Sequence, residues 1–97
     1  MILADTSVWI DHFRTQDIHF QKLLIEERIA MHPFVLGELA SGNLPSREKT
    51  IGLLRGIYSL QAADDDSVLA FIEEHGLSAL GLGWVDMHLL AAAAELC

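Results

Sequence analysis

The sequence predicts an α/β fold in which a parallel sheet is flanked by helices. Two apolar runs, residues 1–4 and residues 29–31, are too short and too unbroken to be amphipathic helices, which indicates buried parallel strands. Each run is followed by residues that favour the start of a helix: Thr6 and Ser7 after the first run, and Pro33 after the second. Strands that alternate with helices are typical of a parallel sheet with covered faces.

Six helices are predicted from N-cap residues and from apolar side chains spaced three and four positions apart. They begin at residues 6, 17, 33, 45, 67 and 84, and the second to fifth end near residues 28, 40, 58 and 75. Residues 59–62 are a third candidate strand with a small signal, since they contain one Leu. Trp9 and Trp84 are expected to be core aromatic side chains rather than base-stacking platforms, because neither lies in a basic groove.

Asp64, Asp65 and Asp66 form the most acidic point of the sequence. Three adjacent aspartates resemble a metal site, but these precede Ser67 and an apolar set at helical spacing. Negative charge at a helix start is stabilised by the helix dipole and by capping hydrogen bonds. The sequence therefore favours the capping interpretation.

Composition limits the possible classes of function. The 97 residues contain six Lys and Arg against fourteen Asp and Glu, which gives a formal net charge of −8. This charge argues against sequence-blind nucleic-acid binding, although an enzyme that holds cations between itself and a phosphate remains compatible with it. The single cysteine, Cys97, cannot form an internal disulfide, so a reducing compartment is expected. Without a membrane-spanning stretch or a basic secretory start, the sequence predicts a soluble cytoplasmic protein.

Histidine chemistry and nucleophilic catalysis receive little support. No two histidines have zinc-ligand spacing, and we interpret all five as surface or packing residues: His12, His19, His32, His75 and His88. Asp86 and His88 lie about 200° apart around a helix, so they cannot face one ion. Ser7 lacks the Gly-x-Ser-x-Gly context of a nucleophile elbow.

Three carboxylates remain at positions that suit a site. Asp5 follows the first strand, Glu38 lies in the helix after the second strand, and Asp86 falls in the first turn of the last helix. Ligands bind at the carboxyl ends of strands in open α/β sheets. Each residue also has a structural explanation: Asp5 as a helix-start residue, Glu38 on a solvated helix face, and Asp86 as a first-turn charge favoured by the helix dipole. Gathered in one crevice, the three would repel one another unless cations compensated, and hard oxygen ligands suit Mg²⁺ or Mn²⁺. Such ions activate water against phosphoryl groups, so the chemistry implied is phosphodiester hydrolysis.

Three stretches resemble the signature segments of PIN-domain ribonucleases, specifically the VapC toxins of bacterial toxin–antitoxin pairs. The stretches are Asp5-Thr6-Ser7-Val8-Trp9-Ile10-Asp11-His12, His32-Pro33-Phe34-Val35-Leu36-Gly37-Glu38-Leu39-Ala40 and Gly81-Leu82-Gly83-Trp84-Val85-Asp86-Met87-His88-Leu89-Leu90. They occur in the family's order and spacing, and the resemblance covers essentially all 97 residues.

The resemblance implies a parallel sheet flanked by helices and a Mg²⁺- or Mn²⁺-dependent endoribonuclease that acts on RNA. It also implies a VapB antitoxin that occupies the site and, usually, a homodimer. By the same resemblance Asp5, Glu38 and Asp86 are the catalytic and metal-site acids. Ser7, or Thr6 beside it, would help to orient Asp5 or a metal-bound water.

The C-terminal end departs from the family pattern. The family continues past the last helix into another strand, an aspartate-bearing turn that supplies a fourth acid and a final strand segment, whereas this sequence stops at Cys97. We therefore expect a single PIN-like domain over residues 1–97, incomplete at the C-terminus, as a shortened product or with a partner that covers the edge of strand one. Two functions compete. One is a metal-dependent endoribonuclease toxin, and the other is a catalytically silent module that only binds an antitoxin or itself.

Overall fold

A computed structural model describes residues 1–96, and Cys97, on which the prediction of a reducing compartment rests, lies outside them. Short strands and helices alternate at the N-terminal end, and helices follow, so the predicted α/β fold is confirmed. The elements are β1 (Ile2–Leu3), α1 (Thr6–Thr15), α2 (Ile18–Ile25), β2 (Ile29–Ala30), α3 (Pro33–Ser41), α4 (Arg47–Arg55), α5 (Asp65–His75) and α6 (Trp84–Glu95). No helix in this part of the chain is long and apolar enough to cross a membrane.

The sheet is parallel, as predicted, but smaller. Ile2 lies opposite Ile29 in the pairing of β1 with β2. The prediction of a third strand over residues 59–62 is wrong in extent, because only one parallel bridge, Met31 to Ser59, forms there. Residues 59–62 contain no β-branched or aromatic side chain and have little apolar area to bury in a sheet. Within residues 1–96 β1 pairs only with β2, so its other edge is free.

The core lies between the two strands and helices α1 to α4. Trp9 of α1 is 1% exposed and packs edge-on against Phe20 of α2, with ring centroids 4.8 Å apart. Trp84, by contrast, is 42% exposed, so the prediction that it belongs to the core is wrong. It lies in the first turn of α6, where its ring packs edge-on against the ring of His88.

Three helices begin with an aspartate cap, and one of these caps differs from the prediction. Thr6 and Ser7 were expected to cap the first helix, but Asp5 caps it and Thr6 is the first residue of α1. Asp5, Asp17 and Asp64 each accept a backbone N–H bond at the start of α1, α2 and α5. The hydrogen bond that Asp64 accepts from the Ser67 N–H, 2.7 Å long, lowers the pKa of the Asp64 carboxyl. The capping interpretation of the three aspartates is therefore confirmed.

Two helices end earlier than predicted. The second was expected to reach Arg28, but α2 ends at Ile25, and Glu27 takes a left-handed φ of 56° as the chain turns toward β2. The fourth was expected to begin at residue 45 and continue to Tyr58, but α4 spans Arg47–Arg55 and stops at Gly56. Glycine is a poor helix former, and this one follows the last helical residue directly.

Candidate active site

The three carboxylates singled out by the sequence line one open cleft. Asp5, Glu38 and Asp86 are all exposed, and the cleft they share has a volume of about 410 Å³. Thr6 and Ser7 line it as well. The parallel pairing of β1 with β2 explains this arrangement, since Asp5 and the start of α3 both follow the carboxyl end of a strand.

Asp5 is held by the first turn of α1. Its Oδ1 accepts a hydrogen bond of 3.1 Å from the Val8 N–H and one of 2.8 Å from the Ser7 hydroxyl. The carboxylate is therefore both the N-cap of the helix and a member of the cleft. Of the two hydroxyls that the sequence left open for orienting Asp5, the structure has Ser7 in contact with it.

Glu38 is held by a residue far away in the sequence. The Thr6 hydroxyl donates a hydrogen bond of 2.7 Å to Glu38 Oε1, which joins α1 to α3 across 32 positions. No pattern in the sequence predicts this contact. The only available signal was a hydroxyl beside Asp5, because sequence spacing does not report how α1 and α3 pack.

Asp86 is held within its own helix start. Its Oδ2 accepts a hydrogen bond of 3.1 Å from the N–H of Gly83, the N-cap residue of α6. This contact is the reciprocal half of a capping box, in which the third helical residue reaches back to the cap. The position of Asp86 relative to the other two acids therefore depends on how α6 as a whole packs.

The donor set has the chemistry of a divalent-cation site. The hydrogen bonds above use Asp5 Oδ1, Glu38 Oε1 and Asp86 Oδ2, which leaves a second oxygen on each carboxylate for an ion. Carboxylate oxygens are hard ligands of the kind that Mg²⁺ and Mn²⁺ prefer. In the described part of the chain, no three His, Cys, Asp or Glu side chains are close enough to hold a metal ion. The residue types therefore fit a cation, while the side chains do not converge to coordination distance.

Two histidines are buried in the domain and do not line the cleft. His32 and His88 are 0% and 2% exposed, and the ring of Phe34 lies against both. Burial and the nearby His88 lower the pKa of His32, whose Nδ1 accepts the Phe34 N–H as the N-cap of α3. For these two histidines the packing interpretation is confirmed. His88 is buried while Asp86 is exposed in the cleft, so the two residues do not face one ion.

Sequence comparisons identify the family. A family model described as the PIN domain matches residues 2–97, so the chain belongs to the PIN-domain family. Within that family it is similar to Ribonuclease VapC32 of Mycobacterium tuberculosis, in strains CDC 1551 / Oshkosh and ATCC 25618 / H37Rv. Identity to each is 39% over 94 residues, which are 97% of this chain and 76% of the relative. The resemblance to VapC-type PIN-domain ribonucleases is thereby confirmed. No solved structure matches the chain.

Proposed function

We propose that this chain is a metal-dependent endoribonuclease, the toxin of a toxin–antitoxin pair, in which Asp5, Glu38 and Asp86 hold Mg²⁺ or Mn²⁺. The observation that carries the proposal is that three acids from separate segments of the chain line one open cleft. Membership of the PIN-domain family supports a nuclease, and 39% identity to a protein named a ribonuclease supports RNA as the substrate.

The chain's own residues contribute orientation and charge. Ser7 and the Val8 N–H hold Asp5, and Thr6 holds Glu38, so these two carboxylates keep their conformations before a substrate arrives. The three acids also repel a phosphodiester unless a cation neutralises them. When bound, a divalent ion supplies Lewis-acid polarisation of a phosphoryl oxygen and activation of water.

The proposal extends to partners and location. We propose a VapB-type antitoxin that covers the cleft, RNA as the macromolecular substrate, and a homodimer in the cytoplasm. The similarity to VapC relatives supports the antitoxin and the RNA in general. Size-exclusion chromatography with light scattering would test the dimer, since a mass equal to one chain at micromolar concentration would contradict it.

The decisive experiment is RNA cleavage by the wild type and by Asp5→Asn in the presence of Mn²⁺. Asparagine retains an N-cap acceptor for α1 but removes the negative charge, so the variant should fold while its cleavage rate falls about a hundredfold or more. Asp11→Asn is the matched control, because Asp11 lies on the same helix, is exposed and does not line the cleft. Equal cleavage by Asp5→Asn and the wild type would refute the assignment.

One observation favours a second candidate, a catalytically silent module that binds an antitoxin or a second copy of itself. An apolar groove of about 550 Å³ is lined by residues of β1, by Val8 of α1 and by Leu89 and Leu90 of α6. Exposed apolar surface of this kind suits a protein partner. This function predicts no Mn²⁺ binding by calorimetry together with a stable complex with a small antitoxin. Measurable RNA turnover by the chain would remove it.

A further inference from the structure

We infer that a second groove beside the acid cleft, here called the flanking groove, binds the RNA nucleotide next to the phosphate that is cleaved. In this groove Arg14 contacts the neighbouring phosphate. This inference rests on the proposed nuclease function. The flanking groove lies between α1 and the segment that connects α3 to α4, and it has a volume of about 560 Å³. Its lining includes Phe13 and Arg14 of α1, Glu38 of α3, and Asn43 and Pro45 of the connection.

Glu38 is the residue that the flanking groove and the acid cleft share. Asp5 and Asp86 line the cleft together with Glu38, and Arg14 lines the groove together with it. A single-stranded nucleic acid whose phosphate lies beside the acids therefore has an adjoining groove for its next nucleotide. The arrangement separates an acidic region suited to a cation from a basic side chain suited to a phosphate.

Arg14 is well suited to this role among the six basic residues of the chain. Two of the other five already have partners: Arg28 Nη1 lies 4.0 Å from Glu26 Oε1, and Arg47 donates hydrogen bonds to backbone carbonyls near the end of α3. Neither the cleft nor the flanking groove is lined by the remaining three, which are Lys22, Lys49 and Arg55.

Arg14 differs from these residues. Arg14 is exposed and lines the groove, and no carboxylate within residues 1–96 forms an ion pair with it. Its guanidinium is therefore available to a phosphate.

The walls of the flanking groove suit a nucleotide rather than a bare anion. Half-buried Phe13 and exposed Pro45 supply apolar surface, on which an unstacked base can be buried. Asn43 supplies an amide that can both donate and accept hydrogen bonds at a base edge. With a net charge of −8, the chain does not hold RNA by general electrostatics. A single basic side chain such as Arg14 therefore contributes a larger share of the RNA affinity than it would in a basic protein.

The test is direct binding of a fluorescent single-stranded RNA, measured by anisotropy over a range of salt concentrations in the full chain. Both proteins carry Asp5→Asn to suppress cleavage, and one carries Arg14→Gln in addition. We expect Arg14→Gln to weaken binding about tenfold at low salt and to reduce the slope of log affinity against log salt by about 0.7. Arg55→Gln is the control and should change neither quantity, because Arg55 lies outside the groove.

Kinetics separate a binding role from a structural one. With the acids intact, Arg14→Gln should raise KM for RNA while leaving kcat nearly unchanged, and Arg14→Lys should restore part of the lost affinity. Unchanged RNA affinity and salt slope in Arg14→Gln, in a protein whose cleavage depends on Asp5, would overturn the inference and leave the nuclease function standing. Unchanged RNA affinity combined with weaker antitoxin binding would also overturn it and assign the groove to a protein partner. Cleavage that does not depend on Asp5 would refute the proposed acid site on which this inference rests.

Discussion

The two halves of the acid cleft are held in different ways. In the first half, Asp5 and Glu38 are linked through neighbouring Thr6, whose hydroxyl bonds to a carboxylate 32 positions away. In the second half, Asp86 bonds only three positions back, to the N–H of Gly83. The first half is thus held by tertiary packing of α1 on α3, whereas the second is held by the cap of one helix.

The two tryptophans follow the same division. Trp9 on α1 is buried in the core next to the first half, and Trp84 at the start of α6 remains 42% exposed. The Asp5–Glu38 pair therefore shares its support with the core of the domain. The position of Asp86 is set instead by how the whole of α6 docks.

The largest expected effect comes from removing the core support of the first half. Trp9→Ala should lower the free energy of unfolding by about 3 to 5 kcal/mol, because it leaves a large cavity against Phe20 and β2. Trp84→Ala is the matched control and should cost about 1 kcal/mol or less, since much of that side chain is already in water. Urea denaturation followed by circular dichroism measures both. Equal losses would contradict the division of the cleft into two halves.

A smaller effect is expected from breaking the link between α1 and α3. Thr6→Val keeps the shape of the side chain but removes the hydroxyl that donates to Glu38. We expect a loss of about 1 kcal/mol in the free energy of unfolding and a roughly tenfold weaker Mn²⁺ affinity by calorimetry. Thr6→Ser retains the donor and should bind Mn²⁺ nearly as the wild type does. Wild-type affinity in Thr6→Val would mean that this bond does not position Glu38.

The smallest expected effect is a pH dependence of the free energy of unfolding that comes from buried His32. The pKa of His32 is lowered from 6.5 by burial and by nearby His88, so the unfolded chain binds a proton more readily than the folded chain. The stability that the neutral ring contributes is present above pH 6.5 and is lost as the pH falls through the lower pKa of the folded state.

A substitution at this position tests the assignment. His32→Asn keeps an N-cap acceptor for the Phe34 N–H but does not titrate. Its free energy of unfolding should therefore fall less steeply below pH 6.5 than that of the wild type. Parallel curves for the two proteins, from denaturation at several pH values, would show that His32 does not cause the dependence.

Local signals in the sequence were sufficient for the fold class and for the candidate acids. The apolar runs, the cap at Asp17, and Pro33 at the start of α3 act within a few residues, so they can be read without knowing the packing. The order of strands and helices then places Asp5 and α3 at one edge of the sheet. Asp86 entered through the family resemblance as well as through its place in the first turn of a helix.

Packing between distant segments decided the rest. The Thr6–Glu38 bond, the shrinkage of the third strand to one bridge, and the exposure of Trp84 depend on how elements far apart in the sequence meet. Hydrophobic burial is non-directional, so a tryptophan in the sequence carries no information about which neighbours cover it. A hydroxyl beside a carboxylate likewise has several acceptors within reach, and only the docking of α1 on α3 selects Glu38 for Thr6.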